Sequence, residues 1–184
     1  MHKFLLVCLT TCLFSACATA NSSDKNSLDA VPAIDLPRYM GKWYEIARLS
    51  NSFQNMCESN VSATYTQTDN GKLKVVNACK KPDGSLTSVE GEARLASGSQ
   101  TNSKLQVRFA PAWLGWLPFV WGDYWVIDLA PDYSYAVIGE PKREYLWLLS
   151  RTPTIDAALY EKILAGAAAK GFDVTKVRKT RQIE

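Results

Sequence analysis

Val61-Ser62-Ala63-Thr64-Tyr65-Thr66-Gln67-Thr68-Asp69-Asn70-Gly71-Lys72-Leu73-Lys74-Val75 decides the architecture. Val61, Ala63 and Tyr65 alternate with Ser62, Thr64 and Thr66, and Leu73 and Val75 alternate with Lys72 and Lys74. Period-two alternation sends apolar side chains to one face and hydroxyl or ammonium groups to the other, the pattern of half-buried antiparallel strands. Asp69-Asn70-Gly71 between them is a strong hairpin signal, because a tight type I′ turn needs positive φ at both central positions. A lone hairpin is not stable in water, so the pattern has to continue along the chain.

It does. Leu105, Val107 and Phe109 alternate with Lys104, Gln106 and Arg108, and Val89, Gly91, Ala93 and Leu95 with Glu90, Glu92 and Arg94. Turn residues punctuate these runs at Lys81-Pro82-Asp83-Gly84, Ser97-Gly98-Ser99, Ala130-Pro131-Asp132 and Gly139-Glu140-Pro141. The spacing predicts eight strands, at roughly 42–49, 60–67, 72–79, 86–95, 104–110, 123–129, 134–139 and 145–150. Eight strands close a barrel with room for one small ligand. The predicted fold is therefore all-β, an eight-stranded up-and-down antiparallel β-barrel with one C-terminal helix packed outside. That helix is expected over 154–170, with Leu159, Ile163, Leu164 and several alanines on one face and Gly171 as its stop; an added strand is expected over 172–177.

Three short segments carry a family resemblance. Gly41-Lys42-Trp43-Tyr44-Glu45-Ile46-Ala47-Arg48 resembles the G-x-W signature of lipocalins, in the form found in the bacterial outer-membrane lipoprotein and apolipoprotein D-like branch. Pro131-Asp132-Tyr133 resembles the family's T-D-Y turn without its Thr, and Tyr145-Leu146-Trp147-Leu148-Leu149-Ser150-Arg151-Thr152-Pro153 resembles its third motif. In an up-and-down barrel the start of strand one, the turn after strand six and the end of strand eight lie at one end. The resemblance covers about residues 35–177 and implies that Gly41, Trp43 and Arg151 are structural. Trp43 would plug the closed end with Arg151 across its indole, a cation–π contact worth about 0.5–2 kcal/mol. It also implies a calyx that carries fatty acids or lysophospholipids, for transport, storage or scavenging in envelope maintenance.

The first residues read as a targeting segment. Met1-His2-Lys3 is a short basic start, Phe4–Phe14 is apolar but too short to span a bilayer, and Ser15 and Ala16 are small, as in a secretory signal peptide. Leu13-Phe14-Ser15-Ala16-Cys17 resembles the lipobox of bacterial lipoproteins, which implies an acylated Cys17 and attachment to the outer membrane, on its periplasmic face. The alternative is ordinary cleavage after Ala18 or Ala20. Residues 1–16 are thus assigned as signal peptide, 17–34 as a flexible tether and 35–184 as the barrel domain.

Loss of residues 1–16 removes the only histidine, one of 21 Lys and Arg, and two of five cysteines. No basic block then remains that is dense enough for nucleic acid. Without histidine, Ser-His and Cys-His pairs and imidazole metal sites cannot be assembled, so no catalytic residue, cofactor or metal is expected. Cys57 and Cys79 are either a disulfide or a reactive thiol pair; an oxidising envelope favours the bridge, which would close a loop worth roughly 3 kcal/mol. A simple register through Asn70-Gly71 sets Cys79 near Ser62 rather than Cys57, so the bridge requires a bulge or bend.

The candidate calyx residues are Val61, Ala63, Tyr65, Val89, Leu105, Val107, Phe109, Trp121 and Trp125, together with Trp147, which the resemblance to bacterial lipocalins implies for the calyx wall. Alternation from Trp121 through Trp125, Ile127 and Leu129 points these inward, though Tyr124 and Val126 leave that parity open. Glu45 shares the parity of Trp43 and either points into the barrel or bonds near the plug. The segment from Ala110 to Val120 is apolar throughout, with Pro111, Gly115 and Pro118 opposing a regular helix. It either forms a lip meeting membrane or ligand, or folds down over the cavity.

Overall fold

The first segment of the computed structural model runs down the outside of a barrel before the first strand begins. Residues 27–68 and 72–183 are described. The expected signal peptide, Cys17 and the turn expected at Asp69-Asn70-Gly71 lie outside them. A one-turn helix α1 (Leu36–Tyr39), capped by Asp35, leads into β1 (Gly41–Leu49). There follow β2 (Ser59–Gln67), β3 (Leu73–Lys80), β4 (Leu86–Leu95), β5 (Lys104–Arg108), β6 (Gly122–Leu129), β7 (Tyr135–Gly139) and β8 (Leu146–Ser150). Each pairs antiparallel with its predecessor, and β8 and β2 both pair with β1, which closes the ring. These bounds lie close to those the alternation predicts.

β1 changes partners along its length. Gly41 to Tyr44 pair with β2, while Ala47 to Leu49 pair with β9 (Val177–Lys179), so β1 bends away from β2 toward the open end. The C-terminal chain seals the seam this leaves: the Gln182 side-chain amide donates to the carbonyls of Glu45 and Val61, at 2.8 and 2.9 Å. The expected strand over 172–177 is thus displaced, because a 3-10 turn at Val174–Lys176 precedes the pairing with β1.

Helix α2 (Ala157–Ala169) starts later than the periodicity suggests, because Asp156 caps it by accepting from the Leu159 amide at 2.9 Å. It ends at Gly171, whose φ of +90° is left-handed. Tyr160, Ile163 and Ala167 pack with Ile46, Ile127, Val137 and Leu148 against the outside of the barrel. Phe172 closes the same layer over Gly139, where a Cβ would lie 2.6 Å from its ring.

Residues 27–34, expected as part of a flexible tether, are held against the barrel instead. Leu28 is buried in the layer under α2, Val31 donates its amide to the Val126 carbonyl at 2.8 Å, and Asn102 bonds both the amide and the carbonyl of Ile34. Burial of Leu28 and Ile34 and the backbone pairing offset the ordering entropy of this stretch.

Candidate ligand-binding cavity

The closed half of the barrel is solid. Trp43 is fully buried and donates its indole N–H to the Tyr39 carbonyl at 2.8 Å. The Arg151 guanidinium sits 3.7 Å from the Trp43 ring centroid and donates to the carbonyls of Lys42 and Arg38, at 2.9 and 2.6 Å. The Arg151 amide donates to Ser134, beside the Pro131-Asp132-Tyr133 turn, so the three sequence motifs meet at this end. Gly41 holds a φ of +92°, with Arg151 Nη1 3.5 Å from where its Cβ would stand.

Above the plug a layer of phenols forms the floor of a cavity. Tyr39 and Tyr65 each share a 2.8 Å hydroxyl bond with Tyr124. Burial pushes the Tyr65 hydroxyl up to about 12; burial, then the nearby Tyr65, holds Tyr39 well above its ordinary value, and burial with both neighbouring phenols does the same for Tyr124. All three stay protonated at neutral pH, hydrogen-bonding groups rather than bases or nucleophiles.

The open half is hollow, with a cavity of about 760 Å³ that reaches solvent at the mouth. Of the candidate residues it is lined by Val61, Ala63, Tyr65, Val89, Val107, Phe109, Trp121 and Trp147. The Phe109 ring lies inside over Gly91, where a Cβ would be 2.7 Å from it. The Trp147 indole N–H donates to Gln54 at 3.0 Å, and Gln54 in turn donates to Glu45 at 2.7 Å. Glu45 faces this wall, with Arg48 and Thr180 both 2.5 Å from its other oxygen. The carboxylate is paired with the Arg48 guanidinium, accepts hydrogen bonds at both oxygens and lines the cavity.

Two candidates do not line the cavity. Leu105 has the inward parity but belongs to the packed core with Trp43, Ala93 and Ile138, none of which lines the cavity. Trp125 faces outward, against the layer under α2, with the Lys104 ammonium 4.1 Å from its ring. The inward residues of β6 are Tyr124 and Val126, and a bulge between Val126 and Asp128 returns Leu129 to the inside. Trp121 contributes only to the rim, since its ring is held between Arg94 and Arg108 at 3.8 and 5.1 Å.

Sequence reasoning passed over several lining residues. Val75 and Asn77 follow from β3's own alternation, whereas Phe53 and Met56 sit on the β1–β2 connection, which has no periodicity to read. That connection is pinned by the Cys57–Cys79 disulfide, with Cα atoms 5.5 Å apart. A bulge between Ser59 and Ser62, with Asn60 at φ +54°, supplies the register shift the bridge requires.

A family model for the lipocalin-like domain matches residues 34–182. The chain belongs to the lipocalin family. This lipocalin is 39% identical to the outer membrane lipoprotein Blc of Escherichia coli K12 over 177 residues, 96% of this chain and 95% of that one. It is 38% identical to temperature-induced lipocalin-1 of Arabidopsis thaliana over 161 residues, 87% and 86% of the two chains. In fold it is similar to insecticyanin of the tobacco hornworm Manduca sexta, with a TM-score of 0.66 at 21% identity over 85% of each chain. Lipocalins are in general binding and transport proteins for small hydrophobic molecules, and the hollow upper half of this barrel has the form such binding needs.

Proposed function

We propose that this lipocalin binds a fatty acid or lysophospholipid in its cavity, for transport, storage or scavenging in a bacterial envelope, while tethered to the outer membrane through acylated Cys17. The cavity carries the reading: about 760 Å³, open at one end and walled mainly by aliphatic and aromatic side chains, it falls within the range of small-molecule pockets. An acyl chain buried there gains about 0.8 kcal/mol per CH₂ before ordering costs. Lys142 at the rim offers a cation to a carboxylate or phosphate left at the mouth. The naming of the Blc relatives as outer membrane lipoproteins and the sequence around Cys17 support the location.

Two other uses of such a barrel, an envelope scaffold with a filled interior and a cysteine-dependent enzyme, have less support. The cysteines that would serve a thiol enzyme are joined to each other, and a barrel acting only as an interaction scaffold has no need of an open cavity. Native mass spectrometry after gentle extraction tests the proposal. One bound lipid per chain, exchangeable with added palmitate, is expected; an empty barrel that takes up no acyl ligand would overturn it.

A further inference from the structure

The connection between β5 and β6 carries three of the most exposed large apolar side chains among the described residues. Residues 109–122 contain no charged residue and no Ser, Thr, Asn or Gln. Trp113, Trp116 and Phe119 are 74%, 78% and 79% exposed, and none of the three lines the cavity. Within the segment from Ala110 to Val120 only those two end residues reach the cavity, so its aromatic middle is not a cap over it. It forms two 3-10 turns, at Ala112–Leu114 and Pro118–Val120, fastened to the outside of the barrel. The Trp121 indole donates to the Gly115 carbonyl at 2.8 Å, and Arg108, only 5% exposed, donates to the Ala110 carbonyl at 2.6 Å and pairs with Glu92 at 2.8 Å. Three large apolar side chains are thus held in water by a built support, and an apolar patch of this kind marks an interaction surface.

The course of the N-terminal segment says what covers it. Ile34 is bonded to Asn102 in the closed-end β4–β5 connection, and Val31 lies beside Val126 midway along β6. Ser27 to Asp29 adjoin Arg143, in the β7–β8 connection, and Gly171. The described chain therefore begins at the open end, the end that carries Trp113, Trp116 and Phe119. Ten peptide steps separate Cys17 from Ser27, a reach of at most about 36 Å fully extended. An anchor on that lead brings the mouth, rather than the plug, toward a bilayer.

We infer that the barrel docks mouth-first on a lipid bilayer, with Trp113, Trp116 and Phe119 seated among the headgroups. The direction of approach rests on the proposed anchoring at Cys17; the aromatic contact rests on the exposed loop alone. Tryptophan favours the headgroup region. Because the loop carries no charge, the contact is apolar, and vesicles without anionic lipid serve as well as anionic ones. In this pose the cavity opens onto the membrane, and an acyl chain moves between bilayer and barrel with little exposure to water.

The test uses the mature chain from residue 17 with Cys17→Ser, which carries no acyl group, and vesicles of phosphatidylethanolamine with or without phosphatidylglycerol. Co-sedimentation that changes little with salt, together with quenching of tryptophan emission by lipids brominated near the headgroup, is expected. The triple variant Trp113→Ser, Trp116→Ser, Phe119→Ser should partition about tenfold less or weaker, with an unchanged melting temperature and unchanged affinity for free palmitate. Equal partitioning of variant and parent, or none by the parent, would overturn the inference. So would a dimer in sedimentation velocity that the triple variant abolishes without any vesicle binding, which would give the patch to a second copy. Loss of palmitate binding with vesicle docking intact would count against the proposed ligand and leave the docking standing.

Discussion

The Arg151 guanidinium sits 3.7 Å from the centroid of the Trp43 indole, between the end of β8 and the start of β1. One cation thereby covers the plug of the barrel and satisfies the carbonyls of Arg38 and Lys42, which would otherwise be left at a chain crossing. Both residues lie below the phenol floor, out of reach of anything in the cavity.

Site and scaffold should separate cleanly among the tryptophans. Trp43→Ala removes a fully buried indole and should lower stability by about 3–5 kcal/mol, with acyl-ligand affinity preserved in the folded fraction. Trp125→Ala, on the outer face under α2, should also spare affinity. Trp147→Ala opens the cavity wall and should weaken binding more than either. Denaturant unfolding paired with palmitate titration checks all three; an equal loss of affinity in the three variants would contradict the division.

Stability should fall steeply in strong alkali. Tyr39, Tyr65 and Tyr124 are raised by burial, Tyr65 to about 12. Near pH 10 the unfolded phenols lose protons that the folded ones keep, so the unfolded state binds fewer protons and unfolding is favoured as pH rises. The contribution is complete below the ordinary tyrosine pKa of about 10 and is lost progressively through about 12. Tyr124→Phe should flatten the decline in unfolding free energy above pH 10, because it removes the most surrounded of the three hydroxyls.

Reduction of the Cys57–Cys79 bridge should cost about 3 kcal/mol, the chain-entropy value for a loop of this length. The β1–β2 connection that carries Phe53 and Met56 would be released at the same time. Ligand dissociation measured with and without reductant should be faster in the reduced protein, since those side chains form part of the cavity wall.

Alternation made most of the barrel legible. In β2, β3 and β5 one face meets the interior and the other meets water, so apolar and polar residues take turns and strand bounds can be counted. β6 departs from this. Tyr124-Trp125-Val126-Ile127 is apolar on both faces because its outer face is buried under α2 and Leu28, and the parity of Trp125 disappears from the chain. Leu105 illustrates a different limit, since alternation tells in from out but carries no information about height along the barrel axis. The division between packed floor and hollow mouth is therefore unreadable strand by strand.

By itself the sequence determined the eight strands, the outer helix, the closed-end motifs and an uncharged stretch around Trp113 and Trp116. These are properties of short runs, set by backbone periodicity and by the turn preferences of glycine, proline and asparagine. The tertiary structure alone decided where the cavity begins, that Leu28 to Ile34 lie against the barrel, that a bulge at Asn60 brings Cys57 to Cys79, and that Trp113, Trp116 and Phe119 stay in water. Each of these depends on which distant segment covers a residue, and coverage belongs to the closed barrel rather than to any run along the chain.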